Sequence, residues 1–162
     1  MKEIIIQQVN YNLWANKRMA DLLITIEPTL LDREIKSSFP SIRKTVHHIW
    51  DAELAWTGRL QGKSIAWPPT SQIQNPQIDQ FIKTSEDFIF FVQAKDDAFL
   101  QSSTTYKDSK GNQYTNINSG IIMHCMNHST FHRGQLITMF REAGIIQLPS
   151  TDLITYLREI KK

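Results

Sequence analysis

Four long stretches of this chain repeat apolar side chains at intervals of three and four residues, and proline, glycine or a capping residue bounds each one. That period matches the α-helical turn, so each stretch carries one apolar stripe that must be covered by another. The first runs from Glu3 to Glu27, with Ile5, Val9, Leu13, Ala20 and Leu23 in phase, and Pro28 stops it. The second starts after Ser41, a good N-cap, and runs to Gln61 through Ile42, Val46, Ile49, Trp56 and Leu60, with Gly62 ending it. In the loop that follows, Trp67-Pro68-Pro69 excludes helix. Asn75-Pro76 reads as an N-cap followed by proline at the first helical position. It opens a third helix through Ile78, Ile82, Phe88, Ile89 and Val92 to near Leu100. Thr104-Thr105-Tyr106 and Gln113-Tyr114-Thr115 flank Asp108-Ser109-Lys110-Gly111-Asn112, a short-hairpin signal. The fourth helix spans Asn118 to Ala143 with Gly144 as its stop, and a short fifth runs from Asp152 to Ile160.

These elements predict an all-α fold: a four-helix bundle with a long connection carrying a short β-hairpin, and a short C-terminal helix. At 162 residues the chain suits one such domain over residues 1–162. Lys plus Arg number 18 against 16 acidic residues, a net charge of +2, which offers no argument for nucleic acid or a membrane surface as partner. The terminal Lys161-Lys162 pair reads as a solvated end. A single cysteine, Cys125, excludes an intramolecular disulfide. The N-terminus turns polar too soon for a signal-peptide h-region, and no apolar run has transmembrane length, so a cytoplasmic protein is expected.

Within the fourth helix, His128 and His132 stand four residues apart and therefore one above the other on a single face. Ile117, Ile121, His124, Gln135 and Met139 fall within about 40° of His128 on a helical wheel. Imidazoles in the middle of such a core-facing stripe are costly unless hydrogen bonds or a metal satisfy them. Bundles commonly build metal sites from facing helices, which directs attention to His47 and His48 on the second helix. Thr45, Ala52 and Ala55 flank His48 and leave room for a site. His47 sits beside Arg43, Asp51 and Leu54, an ordinary boundary surface, so His48 is the better third ligand.

At these residues the chain resembles the DinB/YfiT-like metalloproteins, along nearly its whole length. Tyr11-Asn12-Leu13-Trp14-Ala15-Asn16 is similar to the family's first-helix signature. The run His48-Ile49-Trp50-Asp51-Ala52-Glu53-Leu54-Ala55-Trp56 is similar to its second, and Asn127-His128 through His132-Arg133-Gly134-Gln135 to its fourth. The resemblance implies a helical bundle holding one divalent metal on three histidines, here His48, His128 and His132. Three ligands leave a coordination position open, the arrangement of catalytic rather than structural sites. Imidazole suits zinc, nickel and iron alike, so the native metal stays open.

The family includes bacillithiol S-transferases and mycothiol-dependent isomerases. The resemblance therefore implies a metal-dependent transferase that uses a low-molecular-weight thiol on a small-molecule substrate, in stress response or detoxification. A metal-dependent hydrolase using bound hydroxide is the second reading, and a non-catalytic metal-binding stress protein the third. Gln135 and Glu53 are the candidate catalytic groups. Gln135 fits either a bound water or substrate, or a helix-packing amide. Glu53 fits either support of a ligand from behind, or a buried ion pair. Asn16 and Asn12 lie towards the apolar face of helix one. Cys125 reads as a small buried thiol or, being close in phase to His132, as a group near the metal; His124 reads as a core or rim histidine or a spare ligand, and Trp14, Trp50 and Trp56 as packing residues. An exposed apolar face is compatible with a homodimer, with Trp67-Pro68-Pro69 and the hairpin as contact or lid elements.

Overall fold

A computed structural model describes residues 1–161. Lys162, the last of the terminal lysine pair, lies outside the described residues. The elements are α1 (Lys2–Leu23), α2 (Pro28–Asp32), α3 (Ile42–Leu60), α4 (Ile78–Gln93), α5 (Asp97–Gln101), β1 (Ser103–Lys107), β2 (Gln113–Ile117), α6 (Asn118–Glu142) and α7 (Leu153–Glu159). The four long helices α1, α3, α4 and α6 form the bundle expected, with the hairpin on the long connection and a short C-terminal helix.

Helix α1 packs on α4 and α6, and α3 packs on the same two. Helices α1 and α3 therefore face each other across a diagonal, as do α4 and α6. The long connections between those pairs cross the ends of the bundle, where they cover or flank whatever the helices present there. In the hairpin Thr105 pairs with Thr115 and Tyr106 with Tyr114. Asp108 ties its turn by accepting from the Lys110 and Asn112 backbone N–H groups, and Gly111 supplies a φ of 87°.

Local chemistry accounts for the boundaries, including four that differ from expectation. Helix α1 ends at Leu23, before Pro28, and Thr25 turns the chain back by bonding Leu22 O through both its N–H and its hydroxyl. Glu27 precedes a proline and is held extended, so Pro28 opens α2 at its first position instead of merely stopping α1. Asn75 is not a cap: it adopts a left-handed φ of 54°. Gln77 caps α4, its N–H donating to Gln80 Oε1 at 2.8 Å. The third helix does not continue to Leu100, because the Asp96 carboxylate takes the Phe99 N–H and starts α5 as a separate turn. A 3-10 turn occupies Pro69–Gln72, directly after the Pro-Pro pair. Ser41 does cap α3, accepting from Lys44 N at 3.2 Å.

The core has two large apolar clusters, beside a smaller one of Tyr11, Ala15 and Tyr156. One gathers Met19, Leu23, Ile42, Trp50, Phe81 and Phe140, and the other Ile5, Val9, Leu60, Phe88, Ile122 and Met126. Along each helix a polar group lies between the two: Asn12 and Asn16 on α1, Glu53 on α3, Ser85 on α4 and Arg133 on α6, all buried. Buried polar groups are tolerated when they satisfy one another, and these do so across all four helices, Arg133 Nε excepted.

Candidate metal centre

Helices α3 and α6 approach closely because α3 presents Thr45, Ala52 and Ala55 at their contact, each at most 2% exposed. The short side chains let His48 reach across to α6. Its Nε2 stands 2.9 Å from His128 Nε2. The ring centroids of His128 and His132 lie 4.4 Å apart, one helical turn from each other, and those of His48 and His132 lie 4.6 Å apart. One nitrogen from each ring falls within 4.8 Å of the others. No cysteine, aspartate or glutamate joins this group among the described residues.

Burial decides the charge of the rings. Desolvation, with the neighbouring imidazoles adding to it, pushes His48 down to about 4 and His128 down to about 3, and burial also lowers His132. Neutral imidazoles keep a lone pair for a metal at physiological pH. Gln135 Oε1, a pure acceptor 2.7 Å away, requires the proton of His132 on Nδ1 and so leaves the Nε2 lone pair free. Gln135 is itself held, its Nε2 donating to Ser38 Oγ at 2.7 Å. His128 turns its Nε2 towards His48 and leaves its Nδ1 buried with no hydrogen-bond partner. Two nitrogens about 2.0 Å from one tetrahedral zinc stand about 3.3 Å apart, within a few tenths of an ångström of the His48–His128 separation. The donor set fits a divalent transition metal.

Phe39, in the irregular segment before α3, stacks on His48 with ring centroids 4.0 Å apart and meets His132 edge-on at 5.6 Å. Trp67 also meets His48 edge-on, at 5.8 Å. An open cleft of about 530 Å³ lies beside His48, lined by Phe39 and Trp67 together with Lys44 and Asp51. Neither Phe39 nor Ser38 stands out in the sequence, because both belong to a segment without periodicity.

The other candidates fall elsewhere. Glu53 is fully buried and accepts from Asn12, Asn16 and Ser85 at 2.6 to 2.8 Å, and from none of the histidines. Burial pushes its carboxyl up, opposed by those three donors and by the charge of Arg133. Asn12 and Asn16 both serve that network. Cys125 is fully buried in the apolar cluster, which pushes its thiol up. His124 is exposed at the rim, edge-on to Trp56. His47 is half-buried against Trp50. Ile117, expected on the apolar stripe, ends β2 and is 44% exposed. Trp14 and Trp50 pack and bond to Glu159 and Thr84 through their indole N–H groups.

Fold and site together define a four-helix-bundle protein with a three-histidine cluster between two adjacent helices. The DinB family model matches residues 1–161, and the chain belongs to the DinB family. It is 29% identical to Protein DinB of Bacillus subtilis (strain 168), the match covering 97% of this chain and 95% of that one. Its fold is similar to crystal structures of DinB-like proteins from Bacillus subtilis (TM-score 0.66, 17% identity, 90% of this chain and 98% of the other) and Bacillus cereus (0.65, 20%, 91% and 95%). A DinB family member from Exiguobacterium sibiricum matches at a TM-score of 0.65, with 16% identity over 93% of this chain and 97% of that one. No helix among the described residues is long and apolar enough to cross a membrane.

Proposed function

We propose that this chain binds one divalent metal through His48, His128 and His132, and joins the thiolate of a low-molecular-weight thiol to an electrophilic small molecule, the thiol proton passing to solvent as the new S–C bond displaces the electrophile's leaving group. The observation that carries the reading is the convergence of three neutral imidazoles with no fourth protein ligand in their group. A metal held by three imidazoles, whether zinc, nickel or iron, keeps a position at which a bound thiol or water loses its proton near neutrality. The protein's own groups bind, orient and shield. Gln135 sets the tautomer of His132, Phe39 and Trp67 fix the plane of His48 and exclude water from it, and the adjoining cleft offers an apolar wall with Lys44 at its edge.

Thiol transfer is favoured over hydrolysis by the side chains around the cluster. Water attack is helped by a nearby general base, and the two carboxylates of α3 are engaged elsewhere: Glu53 in the core network, and Asp51, at the cleft, by the Thr70 N–H. The absence of a fourth ligand among the described residues likewise favours a catalytic over a purely structural site. A small-molecule substrate and a cytoplasmic detoxification role belong to the same reading.

The test is elemental analysis of protein purified without a polyhistidine tag, beside His48→Ala and His128→Ala. About one metal per chain in the wild type, lost in both variants, is expected, followed by conversion of a chromogenic electrophile that requires both metal and added bacillithiol or another small thiol. Protein that stays metal-free after incubation with zinc, nickel and iron(II) overturns the site. Metal-dependent turnover without thiol moves the assignment to a hydrolase.

A further inference from the structure

Arg59, in the last turn of α3, is a half-buried cation without a salt bridge among the described residues, and the charge of Asp108 acts on it only at a distance. Its guanidinium lies 4.4 Å over the Trp56 ring and 5.2 Å from the Tyr106 ring, and those two rings meet edge-to-face at 5.1 Å. The aromatic faces hold the group in place through cation–π attraction but leave its N–H donors unused. Among the described residues Arg59 makes no salt bridge and no side-chain hydrogen bond. The helix end does not occupy it either, since the carbonyls of Thr57, Gly58 and Arg59 already accept from the backbone of Gln61, Gly62 and Lys63.

This guanidinium lines a cavity of about 410 Å³ between the end of α3 and the hairpin, together with Lys63 and Lys107. The wall is built and not a chance meeting of surface chains. Gly62 turns at a φ of 73°, and Lys63 N–H bonds Gly58 O at 2.9 Å. Ile65 then seats on Gly58 so closely that a Cβ there would lie 2.3 Å from Ile65 Cγ1. That closure carries Lys63 back beside Arg59, while β1 brings Lys107 from the other side. One carboxylate, Asp108, also lines the cavity and attracts Arg59 without bonding to it, its oxygens taking three donors from Lys110 and Asn112; the three cations outnumber it.

We propose that Arg59, with Lys63 and Lys107, forms a subsite for the oxyanion of a small molecule, a carboxylate or a phosphate group. A planar guanidinium fork suits either anion, and two ammonium groups beside it favour a ligand with more than one negative charge. The subsite is separate from the histidine cluster. Arg59 lies on the same face of α3 as His48, about 16 Å further along at 1.5 Å per residue.

The experiment is calorimetric titration of the full-length, untagged protein with inorganic phosphate and with succinate, at ionic strength held constant with chloride. Wild type and His48→Ala are expected to bind at least one of the two alike, which separates this subsite from any anion held at the histidines. Phosphate alone identifies a phosphoryl ligand, and succinate alone a carboxylate. Arg59→Gln should weaken binding about tenfold or more, as loss of charge-assisted hydrogen bonds does. Exposed Lys107→Gln, which leaves the aromatic packing untouched, should weaken it severalfold and guards against a folding artefact in the arginine variant. No binding of either anion overturns the proposal, as does binding that persists in both Arg59→Gln and Lys107→Gln or vanishes in His48→Ala.

Discussion

Glu53 and Arg133, on adjacent helices of the bundle, share two asparagines as intermediaries. Asn12 and Asn16 each donate their amide to Glu53 Oε1, at 2.6 and 2.8 Å, and each accepts from Arg133 Nη1, at 2.6 and 2.9 Å. The acid and the base are 0% and 1% exposed, so the pair is buried mid-bundle through α1. Breaking a buried pair strands a charge, whereas removing both partners together does not.

Glu53→Met and Arg133→Met are each therefore expected to lower the unfolding free energy by about 3–5 kcal/mol, and the double variant by less than the sum. Urea denaturation of the three variants checks this. Single changes costing under about 1 kcal/mol would show that the network does not hold the core.

Gln135 orients His132 without reaching the other two rings. Partners of this kind, once removed, typically weaken metal binding about 10- to 100-fold. Gln135→Ala should show that loss in competition against a chromophoric chelator, with a melting temperature close to wild type. Unchanged affinity would limit Gln135 to holding Ser38.

Phe39 is the ring that covers His48. In Phe39→Ala water reaches the imidazole, and the pKa of His48 should climb from about 4 towards 6.5, its ordinary value. A proton NMR titration of the metal-free protein reads this directly. A value that stays near 4 would place the desolvation in α6 instead.

Acidification should destabilise the metal-free fold. His48 and His128 titrate at about 4 and about 3 when folded, against 6.5 in the ordinary state. Between those values the unfolded chain takes up protons that the folded chain refuses, so stability rises with pH and is fully present above about 6.5. Thermal melts between pH 7 and pH 4 should fall steadily, and the double variant His48→Gln/His128→Gln should fall less steeply. Parallel curves would show that other groups govern the acid limb.

Periodicity alone identified the four bundle helices, and spacing placed His128 over His132, because a helix converts a four-residue interval into contact on one face. The Ser41 cap and the hairpin were legible for a similar reason: each depends on a few neighbouring residues. Elements failed where two local signals competed. Pro28 and Asn75-Pro76 were both read for their proline, yet Glu27 is held extended before Pro28, which opens α2, and the Gln77–Gln80 capping box starts α4 two residues after a left-handed Asn75. Asp96 divided a continuous apolar pattern that periodicity treated as one helix.

Functional partners were hidden for a different reason. Phe39 and Ser38 meet His48 and Gln135 only because the connection into α3 folds over the bundle end, and no interval in the chain encodes that contact. Glu53 carried two readings that the helical wheel could not separate, and the depth at which α1 presents Asn12 and Asn16 chose between them. Which helices are adjacent decided the rest. A bundle with α3 diagonal to α6 would keep every amphipathic stripe, cap and histidine spacing of this sequence, and would leave His48 out of reach of His128. Apolar stripes set what must be buried; the close approach of α3 and α6, through Thr45, Ala52 and Ala55, sets which buried groups touch.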